Sequence, residues 1–181
     1  MSFKLKPKVS GFSLIELMIG IVILAIAMAV GMPSYSIWIQ NTYIRNAAES
    51  IQHGMQRARS EAVTRNISIA FTLGGGPFWA ISQADGTVIE SRPAGEISQK
   101  VVFTILPNPT PPAVSTTTIT FGNLGTVVAN ADGTASISQI DIDSSALSAA
   151  NSRELRITVG IGGGVRMCDP NVTSTTDPRL C

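Results

Sequence analysis

One histidine and two cysteines leave this chain without the donors for a zinc shell at any of the usual spacings. His53 stands inside a helical pattern with no clustered partner, and no serine can be matched to it and an acid as a nucleophilic triad. Charge is also scarce. Only 14% of residues carry one, and thirteen cations against twelve acids leave a net of +1, so there is no general basic footprint for nucleic acid. Two glycine runs, Gly74-Gly75-Gly76 and Gly162-Gly163-Gly164, lack both the following helix and the Lys-Ser/Thr signature of a phosphate loop, and they read as hairpin turns. Asp141 and Asp143 share a strand face, a hint of cation binding. The glycine and distal glutamate of a calcium loop are missing, so surface charge is the better reading. No cofactor, resident metal or enzymatic activity is expected.

What the chain does have is a long hydrophobic run at its start. Lys4, Lys6 and Lys8 make a cationic beginning, and Phe12 to Met32 is then almost wholly apolar, with Ser13 and Glu16 as its only clearly polar side chains. A run of about 20 residues is roughly 30 Å of helix, enough to span a bilayer core. An acid within such a segment costs about 2.5–3.5 kcal/mol near the bilayer centre and less near its edge, so Glu16 calls for a partner. Cleavage after Gly11 would make Phe12 a new amino terminus with Glu16 one helical turn beyond it, where negative charge favours the helix start. An ordinary secretory signal is instead cut after its apolar region, for which Ala29-Val30-Gly31 offers a small-x-small site. That reading releases a soluble periplasmic domain, and an uncleaved N-terminal anchor is a further alternative.

The order of basic leader, Gly11-Phe12, Glu16 and apolar helix resembles the class III signal of type IV pilins and pseudopilins. The resemblance implies cleavage between Gly11 and Phe12 and N-methylation of Phe12 by a prepilin peptidase. It also implies insertion into a filament in which Glu16 meets a neighbour's amino terminus. Pro33 matches a proline common in pilin helices; it removes a backbone donor and clashes with the preceding turn, so a kink is expected there. Loss of the three leader lysines takes thirteen cations to ten against twelve acids, a net of −2. In an exported domain Cys168 and Cys181 read as a disulfide, and a loop of that size contributes roughly 3 kcal/mol by constraining the unfolded chain.

After Pro33 the pattern becomes periodic. Ile44, Ala48, Ile51, Met55, Ala58 and Ala62 fall on one helical face, with Arg45, Glu49, Gln52, Gln56 and Arg59 facing away. One helix is predicted from near Phe12 to about Thr64. Strands should follow. Ile67, Ile69 and Phe71 alternate with small and polar residues. Gly74 to Pro77 turns the chain into Phe78–Ser82, and Asp85-Gly86 marks a hairpin toward Thr87–Glu90. Lys100–Leu106 is a further strand, and Pro107, Pro109, Pro111 and Pro112 form a connector that cannot occupy a central strand. Thr118–Phe121 precedes an Asn123-Leu124-Gly125 turn, and Ala135–Ile142 alternates with a register break. Arg153–Val159 and Val165–Met167 form a last hairpin. The expectation is an α+β fold, with the long N-terminal helix packed on an antiparallel β-sheet domain closed by a C-terminal disulfide loop. Its parts are a leader at 1–11, a hydrophobic transmembrane or filament-core helix at 12–33, an amphipathic helix at 34–65 and a β-rich domain at 66–181.

The helix with Arg57-Ala58-Arg59-Ser60-Glu61-Ala62, the stretch Ile119–Thr126, and Arg156–Val159 with its glycine turn are similar to the GspH/FimT family of minor pilins and pseudopilins. The tail from Cys168-Asp169-Pro170-Asn171 to Asp177–Cys181 is most similar to its FimU branch. What this implies is a minor pilin that primes pilus assembly within a minor-pilin tip complex. Its partners would be other minor pilins, the major pilin, the prepilin peptidase and the inner-membrane assembly platform. Before assembly it would cross the inner membrane once, with its domain in the periplasm. A type II secretion pseudopilin shares the same signal. A FimT-like transformation pilin would use a Gly-Arg-x-Arg stretch on DNA phosphates. Here Gly163-Gly164-Val165-Arg166 has Gly164 where the first arginine belongs, so nucleic acid is not the expected partner. Arg166 and Arg179 are the candidate phosphate contacts, with solvation or salt bridging the favoured reading.

Overall fold

The computed structural model describes residues 11–74, 79–96, 98–108 and 116–181. The leader lysines, Gly75, Gly76 and Pro77 of the expected turn with Phe78, and Pro109, Pro111 and Pro112 of the expected connector lie outside them, as does the side chain of Pro33. The chain divides into two units, Met1–Ser36 and Ile37–Cys181.

A single helix, α1, runs from Leu14 to Arg65. In the first unit the described apolar side chains are open to the surroundings, from Leu14 at 77% to Met32 at 66%. In the second unit the predicted stripe is buried without exception: Ile44, Ala48, Ile51, Met55, Ala58 and Ala62, joined by Ala47, are all at most 1% exposed. Small residues on this face let the helix lie close to the strands. The helix stops at Asn66, whose φ of 56° is tolerated because a short amide side chain suits the left-handed region. Ile67 N–H donates to the Ala62 carbonyl and Asn66 N–H to that of Val63, both at 3.3 Å. This paired closure satisfies carbonyls that the last turn would leave open.

Nine strands follow among the described residues: β1 Ile69–Leu73, β2 Trp79–Gln83, β3 Val88–Arg92, β4 Val101–Asn108, β5 Thr118–Phe121, β6 Val127–Val128, β7 Ser136–Ser144, β8 Leu155–Val159 and β9 Val165–Cys168. A 3₁₀ turn, Ala94–Glu96, precedes β4. They form two antiparallel sheets instead of the one expected, ordered β3-β2-β1-β5-β6 and β4-β7-β8-β9. The reason is non-local pairing: β5 returns beside β1, while β4 pairs along its whole length with β7. Core residues alternate as a half-buried strand requires, with Ile69, Phe71 and Leu73 of β1 and Ile119 and Phe121 of β5 turned inward.

Two strand boundaries move. Ile67 is exposed beyond the helix end, and β4 continues through Pro107, which the sequence places in the connector. Pro107 is accommodated because β4 is an edge strand, where a missing N–H costs no ladder bond. The register shifts between Leu106 and Pro107, which pair with Gln139 and Ile137. Ser138 is the extra residue of this bulge, its hydroxyl donating to the Leu106 carbonyl at 3.1 Å. The bulge keeps Ile137, Ile140 and Ile142 all buried despite the change of parity between them.

Candidate functional site

In the first unit Gly11 and Phe12 precede the helix, and Phe12 is 82% exposed. Leu17 N–H donates to the Ser13 carbonyl at 3.2 Å, so Ser13 stands at the N-cap and Glu16 three residues into the first turn. Ser-x-x-Glu in this position is the pattern of a capping box, and the carboxylate also complements the positive end of the helix. Glu16 is exposed. Among the described residues no single helix is long and apolar enough to cross a membrane; Leu14–Ala29 and Ser34–Arg65 meet that test only as a pair, by length and composition.

The second unit carries the predicted cysteines and arginines toward its C-terminal end. Cys168 and Cys181 are disulfide-bonded with Cα atoms 5.1 Å apart. Asp169 N–H donates to the Arg179 carbonyl at 2.8 Å, and Asp169 and Leu180 form an isolated parallel bridge. Arg166 crosses the closed loop, with Nη2 donating to the carbonyls of Leu180 at 2.7 Å and Pro178 at 3.4 Å. Arg179 binds Asp177 with Nε at 3.1 Å and Nη2 at 2.8 Å. That guanidinium and the Arg179 backbone N–H hold the Asp177 carboxyl down at about 2. Both arginines therefore have internal acceptors within the tail.

The carboxylates of β7 are likewise engaged. Arg156 Nε and Nη2 reach the two Asp141 oxygens at 2.6 and 3.0 Å, and Gln139 Nε2 donates to the same group at 3.0 Å. Asp143 accepts from the Ser144 N–H at 2.7 Å and from the Ser152 hydroxyl. Among the described residues no group of three or more His, Cys, Asp or Glu side chains is arranged to hold a metal.

Beside this pair Glu154 is half-buried, and burial, followed by the charges of Asp141 and Asp143, pushes its carboxyl above the ordinary value of 4.5. The folded state thus holds this proton more tightly than the unfolded chain. Stability attached to the group is full below the unfolded value and is lost as pH rises through the raised one. Glu154→Gln should accordingly be more stable than the parent near neutral pH and equal to it below about pH 4. Urea unfolding at both pH values checks this, and a gain of the same size at both would contradict it.

Arg59, which periodicity places on the outward face, turns back to the sheets. Its Nε donates to the Gly125 carbonyl at 2.9 Å and Nη2 to that of Gly162 at 3.4 Å, so one helix side chain holds two glycine turns together. Asn41 does similar work nearer the start of the unit: Nδ2 donates to the Asn151 carbonyl at 2.9 Å, and Oδ1 accepts the Arg153 N–H at 2.8 Å. The only sequence signal for either residue was a polar side chain at the border of the apolar stripe.

Residues 47–163 match the family model described as Type II transport protein GspH, and residues 6–32 match the prokaryotic N-terminal methylation motif. The chain belongs to the GspH family. Among solved structures it is similar to the type IV minor pilin FimU of Pseudomonas aeruginosa, with a TM-score of 0.51, 16% identity, and coverage of 72% of this chain and 91% of that one. The minor pseudopilin EpsH from the type 2 secretion system of Vibrio cholerae aligns with a TM-score of 0.48, 11% identity, and coverage of 71% of this chain and 98% of that one. No curated protein sequence matches the chain. The α+β type IV pilin fold, with its disulfide-closed tail, is that of a GspH-family subunit. Such subunits are structural parts of pilus-like assemblies, and the methylation motif fits a membrane-anchored precursor.

Proposed function

We propose that this GspH-family chain is a minor type IV pilin that helps to prime pilus assembly in a tip complex with other minor pilins. The observation that carries the reading is Glu16: one exposed acid, at the first turn of the helix, in an otherwise uncharged segment from Phe12 to Met32 inside the methylation motif. In this reading a prepilin peptidase cuts after Gly11 and methylates Phe12. The apolar segment is held in the inner membrane with the domain in the periplasm, and a kink at Pro33 lets the helix leave the bilayer. On assembly the same apolar surface is buried among neighbouring helices, so hydrophobic burial is retained, and Glu16 gains an ionic partner in a neighbour's amino terminus. No bond is made or broken at this step.

Glu16 also fits a capping box, and the two roles are separable. Glu16→Gln keeps the hydrogen-bonding cap and loses the charge, whereas Glu16→Ala loses both. Both variants should fold as the parent does yet appear at about one tenth of its level or less in sheared pili, since an unpaired group buried among helices costs several kcal/mol. Parental amounts of Glu16→Gln in sheared pili would overturn the charge-pairing role.

A second reading, a pseudopilin of a type II secretion filament, is favoured by the family model's description. The tail closed by Cys168–Cys181 supports the pilus branch. Deletion of the gene separates them: loss of surface pili supports the pilin, and periplasmic retention of secreted proteins with normal piliation supports the pseudopilin.

A further inference from the structure

The chain has two tryptophans in opposite settings. Trp79 is 5% exposed, and its indole N–H donates to the Ser50 hydroxyl at 3.0 Å. Trp38 is 64% exposed at the beginning of the second unit, and Tyr35 is 62% exposed in the first. Trp38 precedes the buried stripe that starts at Ile44, so its large apolar ring contributes little to the core.

An exposed indole is well suited to a boundary where one edge is apolar and the other is wet, and tryptophan and tyrosine are enriched at membrane–water interfaces for that reason. The spacing agrees. In the sequence Trp38 follows Met32 by only six residues, at most about 9 Å of helical rise. The polar layer on each side of a hydrocarbon core is roughly 5–8 Å thick. Helical side chains tilt toward the N-terminus, a direction that favours a Trp38 ring within reach of that layer.

We propose that Trp38 is an interfacial anchor of the membrane-stored subunit, seated among phospholipid headgroups on the side that carries the domain. The proposal rests on the membrane-stored reading given above. It adds a specific depth: Trp38 fixes how far the chain sinks into the bilayer, and it must leave the headgroup layer when the subunit is drawn into a filament.

The test uses the full chain reconstituted in phosphatidylethanolamine–phosphatidylglycerol vesicles, with lipids brominated either near the headgroup or near the chain ends. Subtracting the emission of Trp38→Phe from that of the parent isolates Trp38, since Trp79 is buried in both; Trp38→Tyr provides a second subtraction should the first variant misfold. The isolated emission should shift to shorter wavelength on reconstitution. It should fall at least about twofold with shallow bromines and less with deep ones. A chain that sediments with vesicles while Trp38 is quenched by neither lipid overturns the anchor and leaves the membrane reading standing; Trp38 would then serve a protein neighbour. Stronger quenching by deep bromines overturns the proposed depth. A chain that does not sediment with vesicles overturns the membrane-stored reading and the anchor with it.

Discussion

Gly163→Ala is expected to destabilise the domain by about 2–4 kcal/mol, seen as a thermal midpoint roughly 5–15 °C below the parent. A Cβ at this position would lie 1.9 Å from the Gly125 carbonyl oxygen and 3.0 Å from its carbon. Both are backbone atoms, so no rotamer change can relieve the clash. The φ of Gly163 is 76°, which adds conformational strain for any residue with a side chain. Gly125 cannot easily retreat, because its carbonyl accepts from Arg59 Nε and its neighbour strand is tied by the bond from Val127 N–H to the Ile161 carbonyl at 3.0 Å. The adjacent Gly164 supplies the control. Its Cβ would meet nothing within 4 Å, so Gly164→Ala should melt within about 1 °C of the parent. A Gly163→Ala midpoint equally close to the parent would show that the two turns are not in fixed contact.

That contrast marks where the sequence was readable. The helix stripe was legible because burial imposes a period that composition alone reveals, and each member from Ile44 to Ala62 is buried. The tail disulfide was legible because only two cysteines exist. The break in alternation along β7 was visible, but its cause, a bulge opposite Leu106 and Pro107, belongs to another strand. Division into two sheets was hidden for the same reason, since one partner of each central strand, β5 for β1 and β4 for β7, lies far away in the chain. Arg59 was read by charge as outward-facing, and Arg166 as solvated or salt-bridged, with phosphate contact as the lesser alternative. In both, a long stem carries the guanidinium to backbone carbonyls that no charge pattern in the sequence points to. Glu16 was the reverse case: the acid stands out against an apolar run, but the partner proposed for it lies on another chain.

Gly54→Leu should have the other large effect, a loss of more than about 3 kcal/mol together with loss of the near-UV signal of Trp79. By helix propensity alone Gly54 is a poor choice, worth about 1 kcal/mol less than alanine. Packing reverses the preference. A Cβ here would stand 2.8 Å from Phe71 Cε2 and 3.1 Å from Trp79 Cε2. Those two rings lie 5.8 Å apart at a tilt of 33°, and neither has room to withdraw. Phe71 is fully buried in β1, and the Trp79 indole is fixed by Ser50, which also accepts from Arg92 Nη1 at 2.9 Å. For Gly54→Ala the gain in propensity and the cost of moving one ring edge are of similar size, so the net loss should stay below about 2 kcal/mol. Leucine adds three more carbons and no further propensity, and the helix must lift from β1 and β2 to admit them. A graded loss from alanine to leucine by urea unfolding would place the close approach of α1 to the sheet at Gly54. Equal stability of the leucine variant and the parent would mean that helix and sheet separate at no cost, contrary to the continuous burial from Ile44 to Ala62.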